Sequence, residues 1–236
     1  MNDNTAGKIK VVLFDMFNTL ANNSTEFWSD EFEKLVKQYN ISVGAEEFWN
    51  IWREGDKEFS RSRIALDSGF ISYLDGWTNS FDYALKQTKC QGNARAMAQD
   101  CIDDLGKRPL FPETESVLDT LSQRYRIGVA SNADNSFLHP VIDRIKLNLA
   151  VVVSSEDVQS YKPMPQIFLE SLKLLKVEPS EVLYVGDRQY EDVQGPASVG
   201  MNAVWVNRKN EPVDQGLPRP HAEITDLTGL LDVLKN

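Results

Sequence analysis

The sequence predicts a doubly wound α/β domain with a helical insertion. Three observations predict it: short β-branched or aliphatic runs alternate with helix-period segments, small or polar residues close each run, and one long block contains no strand-like run. The runs are residues 10–14, 126–130, 150–153, 182–185 and 203–206. None alternates apolar with polar residues, which is the pattern of parallel strands buried on both faces. Between them, 114–124, 137–146 and 165–175 carry apolar residues at helical spacing. After "NEPVDQGLPRP", a Pro/Gly loop, a last short strand and helix are expected.

The insertion leaves directly after the first strand. Residues 26–38, 45–59, 73–86 and 94–105 read as aromatic-rich helices, and the chain returns at "RPLFPETESVLDTL", where Pro109 and Pro112 end one element and an acidic turn starts the next. The expected boundaries are 1–22 and 108–236 for the α/β core and 23–107 for the helical part. Such an insertion would sit above the strand ends and act as a lid.

Composition narrows the function. The chain has 236 residues and a formal net charge of −10, which disfavours phosphate backbones and anionic lipid, so neither nucleic acid nor membrane is an expected partner. No apolar run approaches the ~20 residues that span a bilayer. Cys90 and Cys101 stand in no C-x-x-C spacing and no leader-like segment is seen, so a reducing cytoplasm is expected. With only two histidines, His139 and His221, a His-rich metal cluster has no ligands and a Ser-His-Asp site is disfavoured.

Ligands in doubly wound sheets bind at the carboxyl ends of the strands. Asp15 closes the first run and Thr19 follows in its turn; Ser131 and Asn132 close the second; Lys162 lies in "SYKPMP"; Asp187, Glu191 and Asp192 lie in "VGDRQYED". Each piece alone has a bland explanation, since Asp, Ser and Asn are ordinary turn and cap residues. Together, in this order, they converge on one sheet edge.

In order and spacing the four pieces resemble the haloacid dehalogenase superfamily of hydrolases: "FDMFNTL", "VASN", the lysine of "YKPMP" and "GDRQYED" match its four motifs. The resemblance implies a Rossmann-like core with a helical cap, an aspartate nucleophile at Asp15, substrate phosphate or carboxylate held by Ser131 and Asn132, and Lys162 offsetting charge beside the nucleophile. Thr19 is grouped with Asp15 and Lys162 as catalytic. Within the insertion, "IWREGDKEFS" looks like a cap segment of the 2-haloacid dehalogenases, and Trp52 and Arg53 match its halide- or carboxylate-binding positions.

The motifs point to two chemistries. Phosphatases of this family usually carry a second aspartate where this chain has Phe17, to protonate the leaving alkoxide; phenylalanine transfers no proton, and halide needs none. The first motif and the Trp52-Arg53 segment thus favour carbon–halogen cleavage. Asp187 points the other way, since a cluster of Asp15, Asp187 and Asp192 without a cation would raise at least one carboxylate pKa. Magnesium would neutralise it, with Asp15, Asp187 and the Phe17 backbone carbonyl as ligands and Asp192 orienting the shell. The first expectation is a Mg2+-dependent phosphatase acting on a small anionic molecule. A metal-independent 2-haloacid dehalogenase is the alternative and a non-catalytic phosphate binder the third; assembly is left open, a homodimer among the options.

Overall fold

A computed structural model describes residues 9–64 and 69–235, so the first eight residues of the expected core lie outside the described residues. In chain order the elements are β1 (Val11–Phe14), α1 (Thr25–Gln38), α2 (Ala45–Ser62), α3 (Tyr73–Thr88), α4 (Ala94–Leu105), α5 (Thr114–Ser122), β2 (Arg126–Ser131) and α6 (Asn135–Ile142). There follow β3 (Val151–Ser154), α7 (Ser155–Val158), α8 (Gln166–Leu175), β4 (Val182–Gly186), α9 (Gly195–Ser198), β5 (Asn202–Val206), β6 (Ala222–Ile224) and α10 (Gly229–Val233). Among the described residues no helix is long and apolar enough to cross a membrane.

The six strands form one parallel sheet in the order β3-β2-β1-β4-β5-β6. Its central strands are apolar on both faces because helices cover both, as for β1, where all four residues are buried. On one face Ile167, Phe168, Leu172 and Leu175 of α8 pack against Val11, Leu13, Val182 and Tyr184. Their near-helical spacing gives α8 one apolar stripe.

The order reverses at β1: β2 lies on one side of it and β4 on the other. Phe14 pairs with Val129 of β2 and Val185 of β4, so Asp15, Ser131 and Asp187 all emerge at the same end of three adjacent strands. Loops that diverge from such a point leave a crevice for a ligand.

The described chain falls into two compact units. One holds the described residues up to Asn22, Pro109–Asn132 and those from Val141 on; the other holds Asn23–Arg108 with Ala133–Pro140. Residues 133–140 therefore group with the helices and not with the core segment in which the sequence places them. The cause is local: Asp134 accepts the Tyr73 and Leu74 amides at 3.0 and 3.1 Å at the start of α3, and Phe137 packs edge-on to Tyr73 with ring centroids 5.5 Å apart. The helix expected over 137–146 is α6, which starts earlier because the Asp134 carbonyl accepts the Phe137 and Leu138 amides. It ends at Ile142, after which the chain winds in three-residue turns.

The helical unit is built on aromatic packing. Phe32 of α1 is fully buried, with Phe48, Trp49, Trp52 and Phe81 rings at 6.1, 6.0, 5.4 and 5.8 Å. Phe32→Ala removes the ring that all four share, and is expected to destabilise this unit by about 3–5 kcal/mol. Urea unfolding followed by tryptophan fluorescence measures it, since Trp28, Trp49, Trp52 and Trp77 all lie here; an unchanged midpoint would show that the cluster contributes little.

Candidate active site

Asp15 leaves β1 with its amide donated to the Val185 carbonyl at 2.9 Å, which locks the residue to β4. The residue is 7% exposed, and its Oδ1 accepts from Ser131 Oγ at 2.9 Å and from Lys162 Nζ at 2.7 Å. Oδ2 accepts no hydrogen bond among the described residues.

Lys162 is 1% exposed and its ammonium has three partners. Besides Asp15 it donates to Asp192 Oδ1 at 2.6 Å and to the Tyr184 hydroxyl at 2.8 Å. Tyr184 passes its own proton to the Ala130 carbonyl at 2.6 Å. Burial works against the charge on Lys162, but Asp15 and Asp192 more than offset it and hold its pKa well above the usual lysine range. The lysine backbone is braced from β2: its amide donates to Asn132 Oδ1 at 2.7 Å, and Asn132 Nδ2 donates to its carbonyl at 3.2 Å. Asn132, expected to hold substrate, thus clamps Lys162, which leaves one Nδ2 hydrogen for a ligand.

Asp192 is fully buried in a π-helical stretch, Gln189–Gln194. Both its oxygens are engaged, Oδ1 by Lys162 and Oδ2 by the Arg188 amide at 2.9 Å. Gly186 permits this, since a Cβ there would lie 2.4 Å from Asp192 Cγ. Asp187 differs: its backbone carbonyl accepts from Trp205 Nε1 at 2.9 Å, but its half-buried carboxylate accepts no hydrogen bond among the described residues. Burial first, then the charges of Asp192 and Asp15, pushes its pKa well above the ordinary value.

Ligand oxygens of Asp15, Asp187 and Asp192 lie within 4.8 Å of one another. Three carboxylates against one ammonium leave negative charge in excess. At Asp15 burial dominates and, with Lys162 pulling down and Asp192 pushing up, the pKa is raised to about 6. A carboxylate so held, with one oxygen anchored and one open, is equipped to attack an electrophilic centre.

The other sequence candidates fall as follows. Thr19 is buried, and its Oγ1 has no hydrogen-bond partner among the described residues. Phe17 is half-buried and pairs with Ala21 in the turn after Asp15. Trp52 and Arg53 belong to the helical unit: Trp52 is buried beside Phe32 and Trp28, while Arg53 is exposed with its guanidinium 5.8 Å from the Trp49 ring centroid.

Sequence reasoning missed Tyr184 and Gly186. A tyrosine in an otherwise apolar central strand was the available signal, since a buried phenol needs a hydrogen-bond partner.

With this geometry in view, a family model for haloacid dehalogenase-like hydrolases matches residues 9–200. The chain belongs to that family of hydrolases. It is 24% identical over 232 residues to (S)-2-haloacid dehalogenase 1 of Pseudomonas sp. (strain CBS-3), covering 96% of each chain. It is 25% identical over 242 residues to N-acylneuraminate-9-phosphatase of Rattus norvegicus, covering 97% of this chain and 95% of that one. Among solved structures, L-2-haloacid dehalogenase RSc1362 superposes with a TM-score of 0.80 at 22% identity, covering 97% of this chain and all of the other, and so shares the fold.

Asp15 offers a direct check of the electrostatics. In EDTA its side-chain carboxyl should titrate near pH 6, read by carbon-13 NMR, and magnesium should move the midpoint down because a cation favours the charged form. A midpoint near the ordinary ~4 in EDTA would contradict a buried carboxylate whose desolvation outweighs the pull of Lys162.

Proposed function

We propose that this hydrolase is a magnesium-dependent phosphatase acting on a small organic phosphate, with Asp15 as nucleophile and a covalent aspartyl intermediate. The observation that carries the reading is the Asp187 carboxylate, which has no donor among the described residues and faces two further acids within 4.8 Å. This donor set fits a hard divalent cation, which takes carboxylate oxygens and keeps several waters. Asp15 Oδ2 and Asp187 would hold the ion, with the Phe17 carbonyl as a further ligand; Asp192 would act from behind, since both its oxygens are engaged. Bound magnesium would supply charge neutralisation and orientation for the phosphate.

The chain's own residues supply the rest. Asp15 attacks phosphorus, the bond to the leaving oxygen breaks, and water then hydrolyses the acyl phosphate to regenerate the carboxylate. Lys162 stays cationic throughout and offsets charge beside the nucleophile. The spare Nδ2 hydrogen of Asn132 would bind a substrate oxygen, and Ser131 would do the same by redirecting the hydroxyl hydrogen it now donates to Asp15. Phe17 offers no proton, so the leaving group must depart as a stable anion or take its proton from water.

One observation favours a second reading, 2-haloacid dehalogenation. Phe17 suits a leaving halide, and a 2-haloacid dehalogenase is among the relatives. There Asp15 would attack the carbon that bears the halogen, halide would leave, and water would cleave the ester. Asp187 would then sit protonated, in keeping with the direction of its pKa.

Two substrates, p-nitrophenyl phosphate and 2-chloropropionate, each assayed with EDTA and with magnesium, separate the readings. The phosphatase reading expects phosphate release that needs magnesium and is lost in Asp15→Asn and in Asp187→Ser. Chloride release indifferent to EDTA, without phosphate release, would replace it with the second reading. Magnesium-dependent phosphate binding without turnover of either substrate would mark a non-catalytic binder.

A further inference from the structure

We propose that Arg208 is a positioning residue that sets the loop carrying Asp15, so that the rate of the chemical step depends on a side chain outside all four motifs. The inference rests on Asp15 being the nucleophile and not on which substrate it attacks.

The loop from Asp15 to Ala21 is a tight reversal in which the carbonyls of Met16, Asn18, Thr19, Leu20 and Ala21 each accept a hydrogen bond. Met16 O accepts the Leu20 and Ala21 amides at 2.8 and 2.9 Å, and Ala21 O accepts the Asn18 amide at 2.7 Å. Leu20 O accepts the Phe111 amide at 2.9 Å and Thr114 Oγ1 at 2.8 Å. Asn18 makes the turn in the left-handed region, φ 62°, which asparagine tolerates better than most residues. Its carbonyl and that of Thr19 are taken by one side chain from far along the chain: Arg208 donates Nε to Asn18 O at 3.2 Å and Nη2 to Thr19 O at 3.0 Å.

Arg208 is itself held from two more sides. Its Nη2 lies 2.7 Å from Glu113 Oε1, and its guanidinium carbon lies 3.6 Å from the Phe111 ring centroid. The segment that holds Arg208, Phe111 to Glu113, thus also begins the tie to Leu20. Two residues past the end of β5, the guanidinium reaches the nucleophile turn while lying over the Phe111 ring. A planar fork with two parallel donors suits adjacent carbonyls; an ammonium on a flexible stem does not. The pairing with Glu113 cancels its charge locally, so its role is geometric. It touches carbonyls and a carboxylate, not the Asp15 carboxylate.

A small displacement of a nucleophile is costly: about 1 Å can cost ~10²-fold in rate. The test combines steady-state kinetics, on whichever of p-nitrophenyl phosphate and 2-chloropropionate the wild type turns over, with hydrogen exchange of the amides of residues 16–21. Arg208→Ala is expected to lower kcat by about 10- to 100-fold with KM unchanged and to speed exchange in that segment. Millimolar guanidinium should restore part of both in Arg208→Ala and nothing in Asp15→Asn, a response that a general loss of stability would not show. Arg208→Lys should fall between, and it carries the test if the alanine variant fails to fold. Wild-type kcat in Arg208→Ala, or a loss that only tracks unfolded protein and ignores guanidinium, would overturn the proposal. If the wild type turns over neither substrate, that counts against the proposed function, and exchange decides this point alone: unchanged protection of residues 16–21 in Arg208→Ala contradicts it.

Discussion

An ammonium group buried in a protein interior must find an acceptor for each of its three hydrogens and enough negative charge to stay ionised. Lys162 meets both needs with Asp15, Asp192 and Tyr184. These partners come from β1, β4 and the stretch after β4, and Tyr184 carries the network on to β2 through the Ala130 carbonyl. A sheet with β1 between β2 and β4 brings these groups together. Removing one partner would leave the others in a medium that solvates charge poorly, which is the costly case for buried ion pairs.

The same network leaves a definite remainder. Lys162 satisfies one oxygen each of Asp15 and Asp192, and at Asp187 the charges of Asp192 and Asp15 outweigh that of Arg188. A cation would resolve the excess in one way and protonation of Asp187 in another, and this difference separates the two proposed chemistries. Phe17 bears on the leaving group and Asp187 on the attacking side, so the two residues need not agree. A phosphate with a good leaving group is consistent with both.

Much of this was legible in the sequence for a physical reason. Parallel strands buried on both faces need continuous apolar runs, and a run that ends abruptly on Asp15, Ser131 or Asp187 marks the strand end where ligands bind. The first five strands and the Asp15, Lys162, Asp187 and Asp192 cluster follow from that rule together with the family resemblance. Tyr184 was not legible because an apolar strand does not say which residue faces a buried amine 22 positions earlier. Arg208 was hidden for the same reason, its partners lying 189 and 190 residues away. The grouping of residues 133–140 with the helices depends on Asp134 capping α3, and an aspartate after Ser-Asn reads equally well as a plain turn. Asn132 shows the limit of motif transfer: its identity was expected, but its clamp on the Lys162 backbone emerges only from the fold.

The central claim is that Lys162 is the charge that keeps Asp15 a carboxylate in a buried site. Lys162→Met keeps most of the side-chain volume and deletes that charge, and carbon-13 NMR of the Asp15 carboxyl in EDTA reads the consequence. The Asp15 midpoint is predicted to rise clearly above the wild-type value of about 6, because only the Ser131 hydrogen bond then opposes burial and Asp192. An Asp15 midpoint that stays at the wild-type value in a folded Lys162→Met protein would contradict it.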